Sequence, residues 1–228
     1  MEQTMCEMML RLPLFQGMSS DELFEVIERM VFTFRKYEDG KLIYKQGEPC
    51  KELAFLMKGT LLVETEAYNA RLSFTETLIP YVAIEPQSLF GMRPHHKATY
   101  IAQGEVSLFC LDKQYLYTLL REYEVFRINF FNLLASKAEK LHERLWDIAP
   151  RHLEGRLAIF IRNLCTTPQG PKVLRAKMDD LAALLDDTRL NVSRILNKWM
   201  TEGLMEKRRM EFIFPNVERL PHDFSTLP

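Results

Sequence analysis

The spacing of apolar residues changes twice along the chain, and the changes divide it. Leu23, Phe24, Ile27 and Met30 follow a helical period. A start signal precedes them: Ser19 or Ser20 can cap, and Glu22 stands three residues after Ser19. From Val31 to Leu111 the pattern breaks into β-rich runs. These are Val31–Arg35, Lys41–Tyr44, Leu53–Lys58, Thr60–Glu66, Arg71–Ile79, Tyr81–Ile84, Lys97–Ala102 and Val106–Leu111. Turn signals separate many of them: Glu38-Asp39-Gly40, Gln46-Gly47-Glu48-Pro49, Lys58-Gly59, Tyr68-Asn69, Glu85-Pro86 and Gln103-Gly104. About eight short strands at this spacing predict a sandwich or jelly roll.

The helical period then returns. Asp112–Leu120 reads as a short helix capped by Asp112. Glu122–Asp147 is a long helix without Gly or Pro, and Phe126, Phe130, Leu133 or Leu134, Ala138, Leu141 and Leu145 make a stripe along it. Such a stripe packs on its own sandwich or forms a coiled-coil-like seam between two chains. Ile128, Phe131 and Leu134 widen the apolar surface beyond one narrow face and favour the dimer seam. Ala149-Pro150 stops the helix. The expected domains are therefore 1–147 and 148–228.

In the second domain, Arg151–Cys165 is an amphipathic helix and Thr166–Pro171 a loop. Asp179–Leu185 carries Leu181, Leu184 and Leu185 on one face. A second helix begins near Thr188, with Val192, Ile195, Leu196 and Trp199 apolar at i, i+3, i+4 and i+7. Its opposite face carries Leu190, Ser193, Arg194 and Asn197, flanked by Arg189 and Lys198. A short helix, a polar joint and a helix with cationic reach have the form of a helix-turn-helix. Gly203 suits the position after a helix end. The alternating run Leu204–Phe214, with Lys207-Arg208-Arg209 in its middle, predicts a two-stranded wing.

Composition narrows the class. Hydrophobic residues at 47% and charged residues at 27% are those of an ordinary soluble globular protein. The net charge of −1 hides an asymmetry: Lys and Arg number 13 against 10 acids over 148–228, and 17 against 21 over 1–147. The C-terminal part thus favours an anionic partner. Cys6, Cys50, Cys110 and Cys165 lie far apart and suggest neither disulfides nor a zinc or iron–sulfur ligand set. MEQTMCEMML lacks the form of a signal peptide, and no apolar run is long enough to span a membrane, so a cytoplasmic location is expected. No nucleophile–base set or phosphate-cradling loop points to an enzyme, and no His/Glu set at ligand spacing points to a jelly-roll metalloenzyme.

The order helix, jelly roll, long helix, winged helix-turn-helix resembles the Crp-Fnr superfamily of bacterial transcription regulators over nearly the whole chain. Local strings carry the resemblance. Tyr37-Glu38-Asp39-Gly40 and Ile43-Tyr44-Lys45-Gln46-Gly47-Glu48-Pro49 look like its first sensor strands, and Phe55-Leu56-Met57-Lys58-Gly59 like its next hairpin. Phe90-Gly91 looks like the opening of its phosphate-binding cassette, and Arg189-Leu190-Asn191-Val192-Ser193-Arg194-Ile195-Leu196 like its recognition helix. The implied fold is α+β in two domains: a cyclic-nucleotide-binding-like jelly roll with a long dimerisation helix, then a winged helix-turn-helix.

The resemblance implies a homodimer on double-stranded DNA with a pseudo-palindromic operator, and RNA polymerase as a further partner. Arg189, Leu190, Ser193, Arg194, Asn197 and Lys198 would face DNA, with Lys207, Arg208 and Arg209 on phosphates. Leu190 replaces the family's usual Glu and cannot accept from cytosine N4, so an operator unlike the common TGTGA-like or TTGAT-like half-sites is expected. Asp186 replaces the usual turn glycine, and Lys177 a usual capping Ser or Thr.

The sensor also departs from the pattern. The candidate effector pocket is Phe90, Gly91, Met92, Arg93, His95, His96, Lys97 and Thr99. Met92 stands for the ribose-binding Glu and Lys97 for the phosphate-binding Arg, so cyclic AMP in the usual mode is not expected. An iron–sulfur cluster and haem are not expected either. Two readings of the sensor stay open: a different, anionic small ligand near Arg93, His95, His96 and Lys97, or no effector at all. An alternative for the whole chain is a ligand-binding module whose helix-turn-helix serves protein contact.

Overall fold

The computed structural model describes residues 2–221 apart from Tyr68, 147–151 and Pro168, with backbone alone at 2–4 and 144–146. The chain divides into two compact units: Met1–Leu61 with Leu78–Glu143, and Leu62–Thr77 with Arg144–Pro228. Among the described residues no helix is long and apolar enough to cross a membrane.

The first unit opens with α1 (Glu2–Leu10), a 3₁₀ turn (Pro13–Phe15) and α2 (Ser20–Arg29). Ser19 caps α2 as the spacing predicts. Its hydroxyl accepts from the Glu22 N–H, and its own N–H donates to the Glu22 carboxylate. Met9, Leu12, Leu14, Phe15, Leu23 and Val26 then bury against Phe55, Leu89, Phe109 and Phe126 in one core.

Six strands follow: β1 (Phe32–Tyr37), β2 (Leu42–Tyr44), β3 (Glu52–Glu66), β4 (Leu72–Leu78), β5 (Val82–Ile84) and β6 (Thr99–Asp112). β1 lies antiparallel to β6 from Phe32↔Leu111 to Tyr37↔Val106. β2 also pairs with β6, and β5 with β3. Two pairs of runs expected as separate strands are single strands. Leu53–Lys58 and Thr60–Glu66 are both β3, and Lys97–Ala102 and Val106–Leu111 both fall largely in β6. Gly59 does not turn the chain. It has φ +85°, and a Cβ there would sit 2.2 Å from the Glu105 carbonyl oxygen. The glycine permits close backbone approach inside a strand, the other meaning of such a residue.

α3 (Lys113–Glu122) and α4 (Glu124–Trp146) are separated by the extended residue Tyr123, so the long helix starts later than expected. Asp112 stands at the N-cap of α3 but makes no side-chain capping bond. The expected dimer stripe is two faces rather than one. Phe126 and Phe130 are buried in their own core, with the Phe15 and Phe126 rings 5.1 Å apart. Leu133 and Leu134 lean on that core, whereas Phe131, Ala138 and Leu141 are exposed. The side chain of Leu145 and the expected boundary at Ala149-Pro150 lie outside the described residues.

The second unit holds α5 (Leu153–Leu164), β7 (Lys172–Ala176), α6 (Met178–Leu184), α7 (Arg189–Thr201), β8 (Glu206–Arg208) and β9 (Glu211–Phe214). It also holds the tip half of the β3–β4 hairpin, which the sequence places in the first domain. β4 pairs antiparallel with β7, from Leu72↔Ala176 to Thr75↔Val173, and β7 continues to β9 and β8. β7 itself was not anticipated, although Lys172, Leu174 and Ala176 alternate as buried positions. Phe74, Leu157, Ile161, Leu174, Leu181, Val192, Leu196, Trp199 and Phe212 share one core.

One ionic contact fastens β4 to β7. Lys172 is wholly buried, with Nζ 3.3 Å from Glu76 Oε2. Nζ also donates to the Gln169 carbonyl at 2.7 Å, and the Glu76 carboxylate accepts from the Thr166 N–H at 3.0 Å. Removing one partner of such a pair strands the other charge, at a cost of about 3–5 kcal/mol. Lys172→Met is therefore expected to destabilise the protein by about that amount in urea unfolding. The double variant Lys172→Met with Glu76→Gln is expected to recover most of the loss.

Candidate nucleic-acid interface and sensor site

The joint between α6 and α7 is fixed by backbone geometry first. The Asp186 N–H donates to Ala183 O and the Asp187 N–H to Ala182 O, while Asp186 takes φ 50°. That is the left-handed ending usually made by glycine, here made by an Asp, which tolerates it better than most residues. Asp187 then gathers the joint. Its carboxylate accepts from Arg156 Nη2 at 2.9 Å, Asn191 Nδ2 at 2.8 Å and the Thr188 N–H at 2.8 Å. The bonds from Asn191 and Thr188, with Arg156 nearby, hold its carboxyl below the usual range. Thr188 caps α7 by accepting from the Asn191 N–H. Lys177, at the N-cap of α6, makes no side-chain capping bond.

α7 buries Val192, Leu196 and Trp199, with Ile195 half-buried, as its spacing predicts. Leu184 departs from expectation: it is 56% exposed, because α6 ends there and Leu185 takes the place beside Leu181 in the core. On the outer face Leu190 is 62% exposed, Arg194 and Asn197 are exposed, and Ser193 is half-buried. Arg189 Nη1 lies 3.3 Å from Asp179 Oδ1, both side chains well exposed, a contact of small energy. Lys198 is engaged differently. Its Nζ is 2.9 Å from both Glu154 oxygens, and Trp199 Nε1 donates to the same carboxylate at 2.8 Å. The bond to Glu154 raises its pKa. Lys198 thus links α7 to α5 while half of its side chain stays exposed.

Gly203 ends α7 with φ 68°; its N–H donates to Met200 O and the Leu204 N–H to Trp199 O. These two bonds complete the glycine ending expected there. The wing is β8 and β9, joined through Arg209 and Met210, with Lys207, Arg208 and Arg209 exposed.

In the first unit the expected effector residues scatter. Gly91, Met92, Arg93 and Lys97 are exposed, Met92 completely. Lys97 Nζ donates to the Arg93 carbonyl at 3.4 Å. Phe90 packs edge-on against Phe130 and Tyr117, Thr99 accepts from the Gln46 N–H, and His95 bridges to Pro49. His96 alone turns inward. It stacks on Tyr44 with ring centroids 4.4 Å apart, and its Nδ1 lies 3.6 Å from Glu85 Oε2, the separation of an ion pair rather than a hydrogen bond. Glu85, also buried, accepts from the Lys97 N–H at 2.8 Å and from Tyr100 Oη at 3.0 Å. Tyr44 Oη donates to Glu52 at 2.7 Å, and Glu52 pairs with Arg35. From α4, Lys137 donates to Gln87 Oε1 at 2.8 Å, and burial lowers its pKa against the pull of Glu85.

Residues 34–123 match the model of the cyclic nucleotide-binding domain family, and residues 155–222 that of the Crp-like helix-turn-helix domain. With the two modules in this order, the assignment is direct. The chain belongs to the Crp-Fnr superfamily. It has the two-domain α+β architecture of that superfamily's transcription regulators. Among solved structures it is similar to the catabolite activator protein of Thermus thermophilus, at 22% identity and TM-score 0.54, over 91% of this chain and 96% of that one. It is also similar to the sensor domain of the transcriptional regulator DNR from Pseudomonas aeruginosa, at 18% identity and TM-score 0.53, over 66% and 97%. Both likenesses are of fold. No curated protein matches significantly.

Against the Crp-Fnr pattern, the polar centre around His96 is made of residues that the sequence did not single out: Glu85 and Tyr100, both buried, and Tyr44, Glu52 and Lys137, all half-buried. Glu85 lies in a Glu-Pro turn signal, and nothing local marks it as a buried acceptor. Among the described residues no group of three or more His, Cys, Asp or Glu side chains is arranged to hold a metal. The four cysteines are buried.

His96 gives the centre a pH dependence. Burial lowers the imidazole's pKa, but contacts with Cys50 and Glu85 outweigh it and bring the pKa from 6.5 up to about 9. A raised folded-state pKa adds stability that is complete below the unfolded value and is lost as pH rises through the folded one. The first unit is therefore expected to lose stability between pH 6.5 and about 9. Thermal melts across that range should show the decline in the wild type and a flatter profile in His96→Gln.

Proposed function

We propose that the protein is a homodimeric, sequence-specific DNA-binding transcription regulator that does not respond to cyclic AMP in the usual mode. The observation that carries this reading is the outer face of α7. A helix capped by Thr188 and seated on a buried Val192–Leu196–Trp199 face presents Leu190, Arg194 and Asn197 to solvent, with the Lys207–Arg209 wing in the same unit. Residues near the start of such a helix meet base edges first in the major groove. Arg194 suits guanine O6 and N7, and Leu190 suits a thymine methyl. Arg189 exchanges its weak bond to Asp179 for guanine or phosphate, and the wing cations suit phosphates. Membership of a helix-turn-helix regulator family supports the same reading.

The outer stripe of α4, exposed at Phe131, Ala138 and Leu141 and half-buried at Leu134, supplies the dimer seam. Phe131, Leu134, Ala138 and Leu141 follow three–four–three spacing, the repeat of a two-stranded coiled coil, and Leu145 continues it. Leu141 is 58% exposed in the single chain. Two-fold symmetry would set the recognition helices ~34 Å apart on a pseudo-palindromic site. The sensor reading rests on Met92, which points into solvent where the family's ribose ligand would stand, and on Lys97, which folds back onto the Arg93 carbonyl.

Arg194→Ala is expected to weaken binding to the preferred duplex by about 1–3 kcal/mol and to relax preference at one base position. Arg189→Ala with Arg194→Ala should abolish specific binding while leaving the melting temperature unchanged. Selection from a random duplex pool followed by gel shift tests both; specific binding retained by the double variant would overturn the assignment. Leu141→Glu is expected to give monomers in sedimentation and to weaken binding to the paired site far more than to a half-site. A dimer that survives both Phe131→Glu and Leu141→Glu would place the seam elsewhere.

A further inference from the structure

The tip of the β3–β4 hairpin lies beside the reading apparatus. It is anchored in the winged unit by the β4–β7 pairing and by Arg175, which binds Glu64 of β3 and Glu211 of β9, each at 2.9 Å. At the tip an open cleft of about 350 Å³ is lined by Ala70, Arg71, Lys177, Asp179, Asp180 and Met210. The lining comes from three parts of the unit: the hairpin tip, the start of α6 and the wing turn. Ala70 and Arg71 belong to the hairpin tip, Met210 to the wing turn, and Asp179 is the residue that Arg189 touches. The hairpin, the wing and the start of the recognition helix thus adjoin one cleft.

Its charges are balanced within the lining. Arg71 and Lys177 face Asp179 and Asp180, while Arg189 is bound to Asp179 and Arg209 precedes Met210. Arg71 is 70% exposed, and its Nη1 is 3.7 Å from Asp180 Oδ1. A bridge so long and so exposed contributes little and yields readily to a stronger anion. A phosphodiester is such an anion, and guanidinium pairs with it bidentately.

We propose that the hairpin tip is a third DNA contact, in which Arg71, assisted by Lys177, binds a backbone phosphate of the duplex that α7 reads. The proposal rests on the DNA-binding reading above. It assigns a phosphate contact to a segment that the sequence counts with the sensor, outside the helix-turn-helix and its wing. The contact carries no base information and serves to fix register and orientation.

The test is a salt series of fluorescence anisotropy on the full chain, with the selected operator duplex and a scrambled duplex of the same length. Arg71→Ala is expected to weaken both duplexes by the same several-fold factor. It should also lower the slope of log affinity against log salt by about 0.9, the share of one phosphate. Asp180→Asn breaks the same bridge but keeps the cation, so it should bind as tightly as the wild type or more tightly. Equal weakening by Asp180→Asn and Arg71→Ala would make Arg71 a structural residue and overturn the proposal. So would an unchanged salt slope in Arg71→Ala, or a loss confined to the operator duplex. A wild type that binds no duplex sinks the DNA reading first, and this proposal with it. Wild-type binding with a normal Arg71→Ala sinks this proposal alone.

Discussion

A lysine with no exposed surface has to be answered by a charge. Glu76 answers Lys172, and the two sit on strands that are far apart in sequence. Desolvating both groups is expensive, so the pair holds only because every remaining valence is used. The Thr166 and Thr167 N–H groups bind the carboxylate, and the Gln169 carbonyl binds the ammonium. That closure makes β4 a strand of the winged unit. Once β4 is seated, β7 is an inner strand rather than an edge, Phe74 joins the core of the recognition helix, and the hairpin tip comes to the cleft beside the wing.

A second polar centre orders the first unit by the same logic but with other chemistry. Glu85 adopts a left-handed backbone at φ 41° and turns its carboxylate inward to His96, Tyr100 and the Lys97 N–H. These donors hold it below the usual carboxylate range although burial alone would raise it. Lys137 reaches toward the same corner from α4. At the ligand positions of the family pattern, Met92 is exposed and Lys97 Nζ donates to the Arg93 carbonyl. Among the described residues the buried His96 Nδ1 has Glu85 as its ionic neighbour but no hydrogen-bond partner.

Much of this was legible in the sequence, for identifiable reasons. The helices of the second unit are read from period and caps, which are local: Thr188, the αL position of Asp186 and Gly203 all fall where residue chemistry demands. Ser19 and Glu22 are read in the same way. What escaped is non-local. Gly59 has the same composition signal whether it turns a chain or lets a neighbouring backbone approach, and only the Glu105 carbonyl decides. β7 is five residues long, and its partner is a strand about a hundred positions away. The α4 stripe and its extra width are legible, but the sequence does not say which part of it the chain's own core takes, because Phe126 and Phe130 look identical in sequence to the exposed Phe131. Lys198 shows the same limit at the site: its type suits a phosphate, and only the fold brings Glu154 to it.

Charge carries the last step. The basic excess over 148–228 is small in the sequence. In the folded unit several of the cations are paired with acids: Lys172 with Glu76, Arg156 with Asp187, Arg175 with Glu64 and Glu211, and Lys198 with Glu154. Only the first of these pairs is fully buried. Exposed cations stand on α7, the wing and the hairpin tip (Arg189, Arg194, Lys207, Arg208, Arg209 and Arg71), and Arg175, Lys177, Lys198 and Arg219 are exposed as well. The field that they set up is local, and Asp179, Asp186, Glu202 and Glu206 are exposed beside them. Attraction of a polyanion depends on that local field and falls off within a Debye length, about 8–10 Å at ordinary salt. The ion pairs fix the strands and helices that carry α7, the wing and the hairpin tip in one unit.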